Sequence, residues 1–109
     1  MGQLVYGSTE YEIDDRMLAH LESVVVAKYR RREGFMVSWT TPAPDDARIE
    51  LWLSPGNPLQ LRYAGSRSPL LSQSWVQAMM GMAGTLRGLR LVGEAQAVRE
   101  ATMPPAWQH

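Results

Sequence analysis

Asp14-Asp15-Arg16-Met17-Leu18-Ala19-His20-Leu21-Glu22-Ser23-Val24-Val25-Val26-Ala27-Lys28-Tyr29-Arg30-Arg31-Arg32 is the stretch around which the fold is organised. Met17, Leu18, Leu21, Val24 and Val25 recur at three- and four-residue steps, which predicts a helix from Arg16 to about Arg32 with one buried stripe. Asp14 and Asp15 offer carboxylate oxygens to the free N–H groups that open such a helix, and their charge suits its positive end. Arg30, Arg31 and Arg32 suit the negative end, and Gly34 is the expected stop.

Short strands are expected on both sides. Gln3–Gly7 and Glu10–Ile13 read as a hairpin around Gly7-Ser8-Thr9. After the helix, Phe35, Val37 and Trp39 alternate with Met36, Ser38 and Thr40. Ile49, Leu51 and Leu53 alternate with Arg48, Glu50 and Trp52, and Leu59, Leu61 and Tyr63 with Gln60 and Arg62. With Thr41–Asp46 and Ser54–Pro58 as turns, these three strands predict an antiparallel meander with one apolar face. Trp75, Val76, Met79, Met80 and Ala83 keep helical spacing, with Ser68 or Ser72 as cap and Gly84 or Gly88 as the end. Gly88–Val92 reads as a last strand. The expectation is a single α+β domain over residues 1–93 in the order β-β-α-β-β-β-α-β, a mainly antiparallel sheet packed on the long first helix. Residues 94–109 read as a polar, partly flexible tail, whose Met103-Pro104-Pro105-Ala106-Trp107 has the look of an extended docking peptide.

The 109 residues suit one domain with one modest core, and the 45% hydrophobic content makes disorder a poor description. Eleven basic residues balance eleven acidic ones, so neither a basic coat for nucleic acid nor a polybasic membrane anchor describes the whole molecule. With no Cys there are no disulfides, thiolate metal sites or thiol nucleophiles. Val24-Val25-Val26-Ala27 is too short to span a bilayer, and the first residues lack a signal-peptide pattern, so the expected compartment is the cytoplasm, with no membrane partner.

Enzyme signatures fail one by one. No Gly-rich run leads into Lys-Ser or Lys-Thr, and the glycines at 81, 84 and 88 close a helix rather than open one. His20 and His109 are the two histidines, and neither stands in a metal-ligand spacing; His20 reads as a hydrogen-bonded core histidine. Helix capping accounts for Asp14-Asp15. The expectation is therefore no catalytic residue, no metal and no cofactor.

Binding surfaces remain. Lys28 follows Leu21 by seven residues and Val24 by four, so it stands on the buried stripe, where its stem covers the core edge or its cation lines a groove. If the strand alternation holds, Trp52 points away from the main core among Arg48, Glu50, Met36 and Arg62. A tryptophan among arginines on a sheet stacks bases, anchors a protein partner, or is covered by the second helix. Two readings follow. In one, the protein is an accessory module contacting nucleic acid through Lys28, Arg30, Arg31 and Arg32, with Trp52 and Arg62. In the other, it is a homodimer or protein-partner module using the Trp52 face or the Trp107 tail, which the neutral charge and seven methionines favour. A small-molecule pocket around Lys28 and His20 is a third.

Several segments resemble one family in order and spacing. They are Met1-Gly2-Gln3-Leu4-Val5-Tyr6-Gly7, Ile13-Asp14-Asp15-Arg16, Leu18-Ala19-His20-Leu21, Lys28-Tyr29-Arg30-Arg31, Phe35 with Ser38-Trp39, Trp52-Leu53-Ser54-Pro55 and Pro58-Leu59. Over roughly residues 1–93 the chain resembles a family of small actinobacterial proteins of unknown function, of about this length and often labelled ATP-dependent DNA ligase. The resemblance implies one shared fold and no ligase mechanism. A ligase needs a lysine nucleophile in a Lys-x-Asp-Gly context, whereas the sole lysine, Lys28, is followed by Tyr29-Arg30-Arg31.

Overall fold

A computed structural model describes residues 1–102. In chain order it contains β1 (Gly2–Tyr6), β2 (Thr9–Ile13), α1 (Asp15–Arg30), β3 (Phe35–Thr40), β4 (Arg48–Leu53), β5 (Leu59–Arg62), α2 (Gln73–Ala83), β6 (Leu89–Arg90) and α3 (Glu94–Thr102). The order through β6 is the expected one, and the class is α+β.

The two aspartates before α1 divide their work. Asp14 is the cap, its Oδ1 accepting from the N–H groups of Arg16 at 3.0 Å and Met17 at 3.4 Å. Asp15 instead reaches across the fold and accepts from the backbone N–H of Ala64 at 3.0 Å and of Gly65 at 2.9 Å. The stripe is buried as its spacing requires, through Leu18, Leu21, Val24 and Val25. The helix stops before Gly34. Arg32 takes the left-handed conformation at φ 59°, its N–H bonds to the Tyr29 carbonyl, and the Glu33 N–H bonds to the Lys28 carbonyl. That pair of bonds is a Schellman motif built on an arginine instead of a glycine.

The strands form two three-stranded sheets, β2-β1-β5 and β4-β3-β6. The expected three-strand meander holds for β3 and β4, which pair antiparallel with Met36 opposite Trp52. It ends there: β5 leaves to pair antiparallel with β1, Leu4 opposite Leu61. Alternation reports which side chains share a face and says nothing about which strand lies alongside. The segment between β4 and β5 is a crossover pinned by Tyr6, whose hydroxyl oxygen accepts from the Ser54 N–H at 3.0 Å and the Asn57 side-chain amide at 2.9 Å. β6 adds to β3 in parallel, Val37 opposite Leu89. In the β1–β2 hairpin, Tyr6 pairs with Thr9, and Gly7 at φ 62° supplies the left-handed residue of the two-residue turn.

One core gathers Leu4 and Ile13, the α1 stripe, Phe35, Val37, Leu53, Trp75, Ala78, Met79, Ala83, Leu89 and Ala97, with Leu59 and Leu61 of β5 partly buried against it. Tyr11 of β2 meets Trp39 of β3 edge-to-face at 5.3 Å, tying the two sheets together. α2 is capped by Ser72, and Gly81 within it is exposed, where the missing side chain costs no packing.

The tail reading of residues 94–102 is corrected. They form α3, which packs on α2 through the fully buried Ala97. Ion pairs from Arg16 to Glu94 at 2.8 Å and from Arg90 to Glu100 hold it. An alanine contact carries almost no hydrophobic stripe, although Glu94-Ala95-Gln96-Ala97 is rich in strong helix formers. The Met103–Trp107 segment lies outside the described residues. Among those described, no helix is long and apolar enough to cross a membrane.

Candidate binding surface around Trp52

On β4, Arg48, Glu50 and Trp52 face outward while Leu53 is buried, so the expected alternation holds. Trp52 is 55% exposed, and α2 does not cover it, because Trp75 and Met79 are spent inside the core. The indole lies against Gly34, where a Cβ would come within 3.0 Å of Nε1 and Cζ2 and 2.9 Å of the Leu53 carbonyl. Gly34 is therefore a close-approach glycine rather than a helix stop.

Beside Trp52 opens a groove of about 390 Å³, lined by Lys28, Glu33, Gly34, Met36 and Leu86 among others. Lys28 Nζ lies 3.3 Å from Glu33 Oε1, and its side chain is only 13% exposed. Its stem covers the core edge and its charge is neutralised locally, because the Schellman turn folds Glu33 back over the last turn of α1. Leu86, fully exposed, closes the opposite rim from the segment between Gly84 and Gly88.

The six residues singled out from sequence are thus divided. Lys28 and Trp52 line one groove. Arg30, Arg31 and Arg32 are exposed at the end of α1, with no ion-pair partner among the described residues. Arg62 is not a neighbour of Trp52: on β5 it donates to Gln3 Oε1 at 3.0 Å and Gln60 Oε1 at 3.4 Å, and lies 3.9 Å from Glu10 Oε2. Placing it near Trp52 depended on the β4–β5 pairing that the crossover replaces. Sequence reading missed Leu86 and Glu33. A leucine isolated between two glycines was the available signal for the first; Glu33 needed the turn geometry.

A second, smaller pocket of about 260 Å³ lies between α1 and the segment after β5, lined by Glu22, Ser23, Tyr63, Arg67 and Ser68 among others. Here the Tyr63 hydroxyl donates to Glu22 Oε1 at 2.6 Å. Burial, then this bond to a carboxylate, raises the Tyr63 pKa well above the ordinary tyrosine value. His20 is fully buried and belongs to neither pocket: Nδ1 is 2.7 Å from the Arg16 carbonyl, and Nε2 accepts the Ser72 N–H at 2.8 Å. Its ring stacks on Trp75 at 4.2 Å, and the Arg16 guanidinium sits 4.9 Å from the Trp75 ring centroid. Among the described residues no group of three His, Cys, Asp or Glu side chains could hold a metal ion.

A family model, a domain of unknown function designated DUF7882, matches residues 1–94. The chain belongs to this family. No curated protein and no solved structure matches it. The DUF7882 match takes in all six strands, α1, α2 and every residue lining the two pockets, while α3 lies beyond it save for Glu94.

Proposed function

We propose that this protein is a non-enzymatic binding module of the cytoplasm, that its contact surface is the groove and strand around Trp52, and that it contacts protein. One observation carries the reading. A half-exposed tryptophan stands with Met36 and the exposed Leu86 around a groove whose own cation is already neutralised by Glu33. Trp and Met are enriched at the centres of protein interfaces, where charged residues are depleted. A phosphate-binding groove needs cations free to meet the ligand, and Lys28 is not free. The groups that carry chemistry elsewhere are held in structural bonds: both His20 nitrogens, the Asp14 and Asp15 carboxylates, and Lys28. That supports a role without catalysis.

The test is a photo-crosslinking amino acid at position 52 in cells, with the same probe at exposed Glu12 of β2 as control. Protein adducts specific to position 52 are expected; none, or nucleic-acid adducts, would reject the reading.

Arg30, Arg31 and Arg32 favour a second reading, because three unpaired guanidiniums in sequence can meet successive phosphates. It predicts binding of a labelled single-stranded oligonucleotide that weakens steeply with salt and disappears in Arg30→Glu/Arg31→Glu. Binding indifferent to that double substitution would remove it.

A further inference from the structure

β4 is the outer strand of its sheet, with β3 on one side and no strand on the other among the described residues. The Thr41 N–H donates to the Ala47 carbonyl at 2.8 Å, which extends the β3–β4 register by one pair. In an antiparallel ladder the bonded pairs alternate, so Ile49, Leu51 and Leu53 turn their backbone groups toward β3. Arg48, Glu50 and Trp52 turn theirs toward the open edge.

Charged residues on an open edge often shield it from pairing. Here the charges have opposite sign and stand two residues apart, which makes the edge complementary to itself. A two-fold axis through Ile49 would set Arg48 opposite Glu50 of a second copy, and Glu50 opposite that copy's Arg48. Centring the axis on Glu50 sets two glutamates face to face, and centring it on Leu51 leaves both charges unmatched. Opposite charges directly across an antiparallel pair are favourable and like charges unfavourable, so charge selects the first register. Within one copy Arg48 Nη2 lies 3.1 Å from Glu50 Oε2 and both side chains are exposed, 74% and 48%, so the cross-copy pairs would join two such ion pairs into one four-charge cluster.

We propose that the open edge of β4 is a homodimerisation site, two copies joining β4 to β4 antiparallel about Ile49 into one continuous six-stranded sheet. This rests on the reading of the Trp52 strand as a protein-contact surface and names its partner as a second copy of this chain.

The test is a charge cycle read by sedimentation equilibrium across the micromolar range. The unaltered protein is expected to be a dimer. Arg48→Glu sets a carboxylate against Glu50 of the other copy, and Glu50→Arg sets a guanidinium against its Arg48. Each turns two attractive pairs repulsive and is expected to weaken the dimer roughly tenfold. An equimolar mixture of the two variants, and the doubly exchanged Arg48→Glu/Glu50→Arg, are expected to recover the dimer, which a misfolded chain would not do. A monomer at every concentration, or a dimer unchanged by the single reversals, would overturn the proposal. If position 52 still crosslinks to some other protein, the binding-module reading stands without the dimer.

Discussion

His20 and Ser72 are joined by one hydrogen bond at 2.8 Å, the Ser72 backbone N–H donating to Nε2 of the imidazole. Because an N–H only donates and the Arg16 carbonyl opposite Nδ1 only accepts, the ring is held as the Nδ1–H tautomer. Ser72 is also the cap of α2. A single buried histidine therefore couples the first turn of α1 to the start of α2.

His20→Leu leaves the Ser72 N–H without its acceptor in a part-buried setting. The expected loss is about 2 kcal/mol of unfolding free energy, measured by urea denaturation. His20→Gln retains an acceptor and should lose less. Faster amide exchange at Ser72 should accompany the Leu variant. A loss below about 0.5 kcal/mol, within the range of ordinary surface substitutions, would mean that the N–H has another partner.

Arg32 at φ 59° holds a conformation that costs a side-chain-bearing residue about 1 kcal/mol. Arg32→Gly keeps both Schellman bonds and removes that cost, so the thermal midpoint should rise by about 4 °C. Gly34→Ala, two residues on, should do the opposite. Its Cβ meets the Leu53 carbonyl at 2.9 Å and the Trp52 indole at 3.0 Å. Calorimetry of the two variants should move in opposite directions.

Two tyrosines set the alkaline limit. Burial, with a smaller contribution from Tyr6, pushes Tyr29 up to about 12; burial and the Glu22 carboxylate raise Tyr63 further. Folded values above the unfolded value of about 10 mean that tyrosine ionisation takes nothing from folding stability below that pH. Stability falls as pH climbs from there through the folded values. Absorbance titration should show late-ionising tyrosine that diminishes in Tyr29→Phe and again in Tyr63→Phe. At neutral pH the two variants should differ. The Tyr29 hydroxyl is buried without a partner among the described residues, so its removal is neutral or mildly stabilising. Tyr63→Phe gives up the bond to Glu22 and should lose about 1 kcal/mol.

Asp15 sets part of the acid limit. The N–H groups of Ala64 and then Gly65 hold its carboxyl below the ordinary aspartate range. A lowered folded value contributes stability above the unfolded value of about 4, and that contribution is lost as pH falls through the folded value. Asp15→Asn should therefore flatten the acid side of the stability profile. It should also speed amide exchange at Ala64 and Gly65, and unchanged exchange there would show that the clamp does not hold that segment.

The local sequence determined what local forces decide. Leu18, Leu21, Val24 and Val25 made α1 through their spacing, Asp14 capped it, and the alternation of Arg48 through Leu53 turned Trp52 outward, because burial of one face needs no knowledge of the neighbour. Tertiary structure alone decided who the neighbours are. Tyr6, gathering Ser54 and Asn57 about its hydroxyl, carries the chain from one sheet to the other, so β5 joins β1 and Arg62 parts from Trp52. The Arg32 turn brings Glu33 onto Lys28, and Leu86 meets the same groove from a segment far along the chain. These are contacts between residues whose separation in sequence carries no periodic signal. They exist because closing those loops is offset by burial of a shared core, and that balance is struck only once the whole chain has folded.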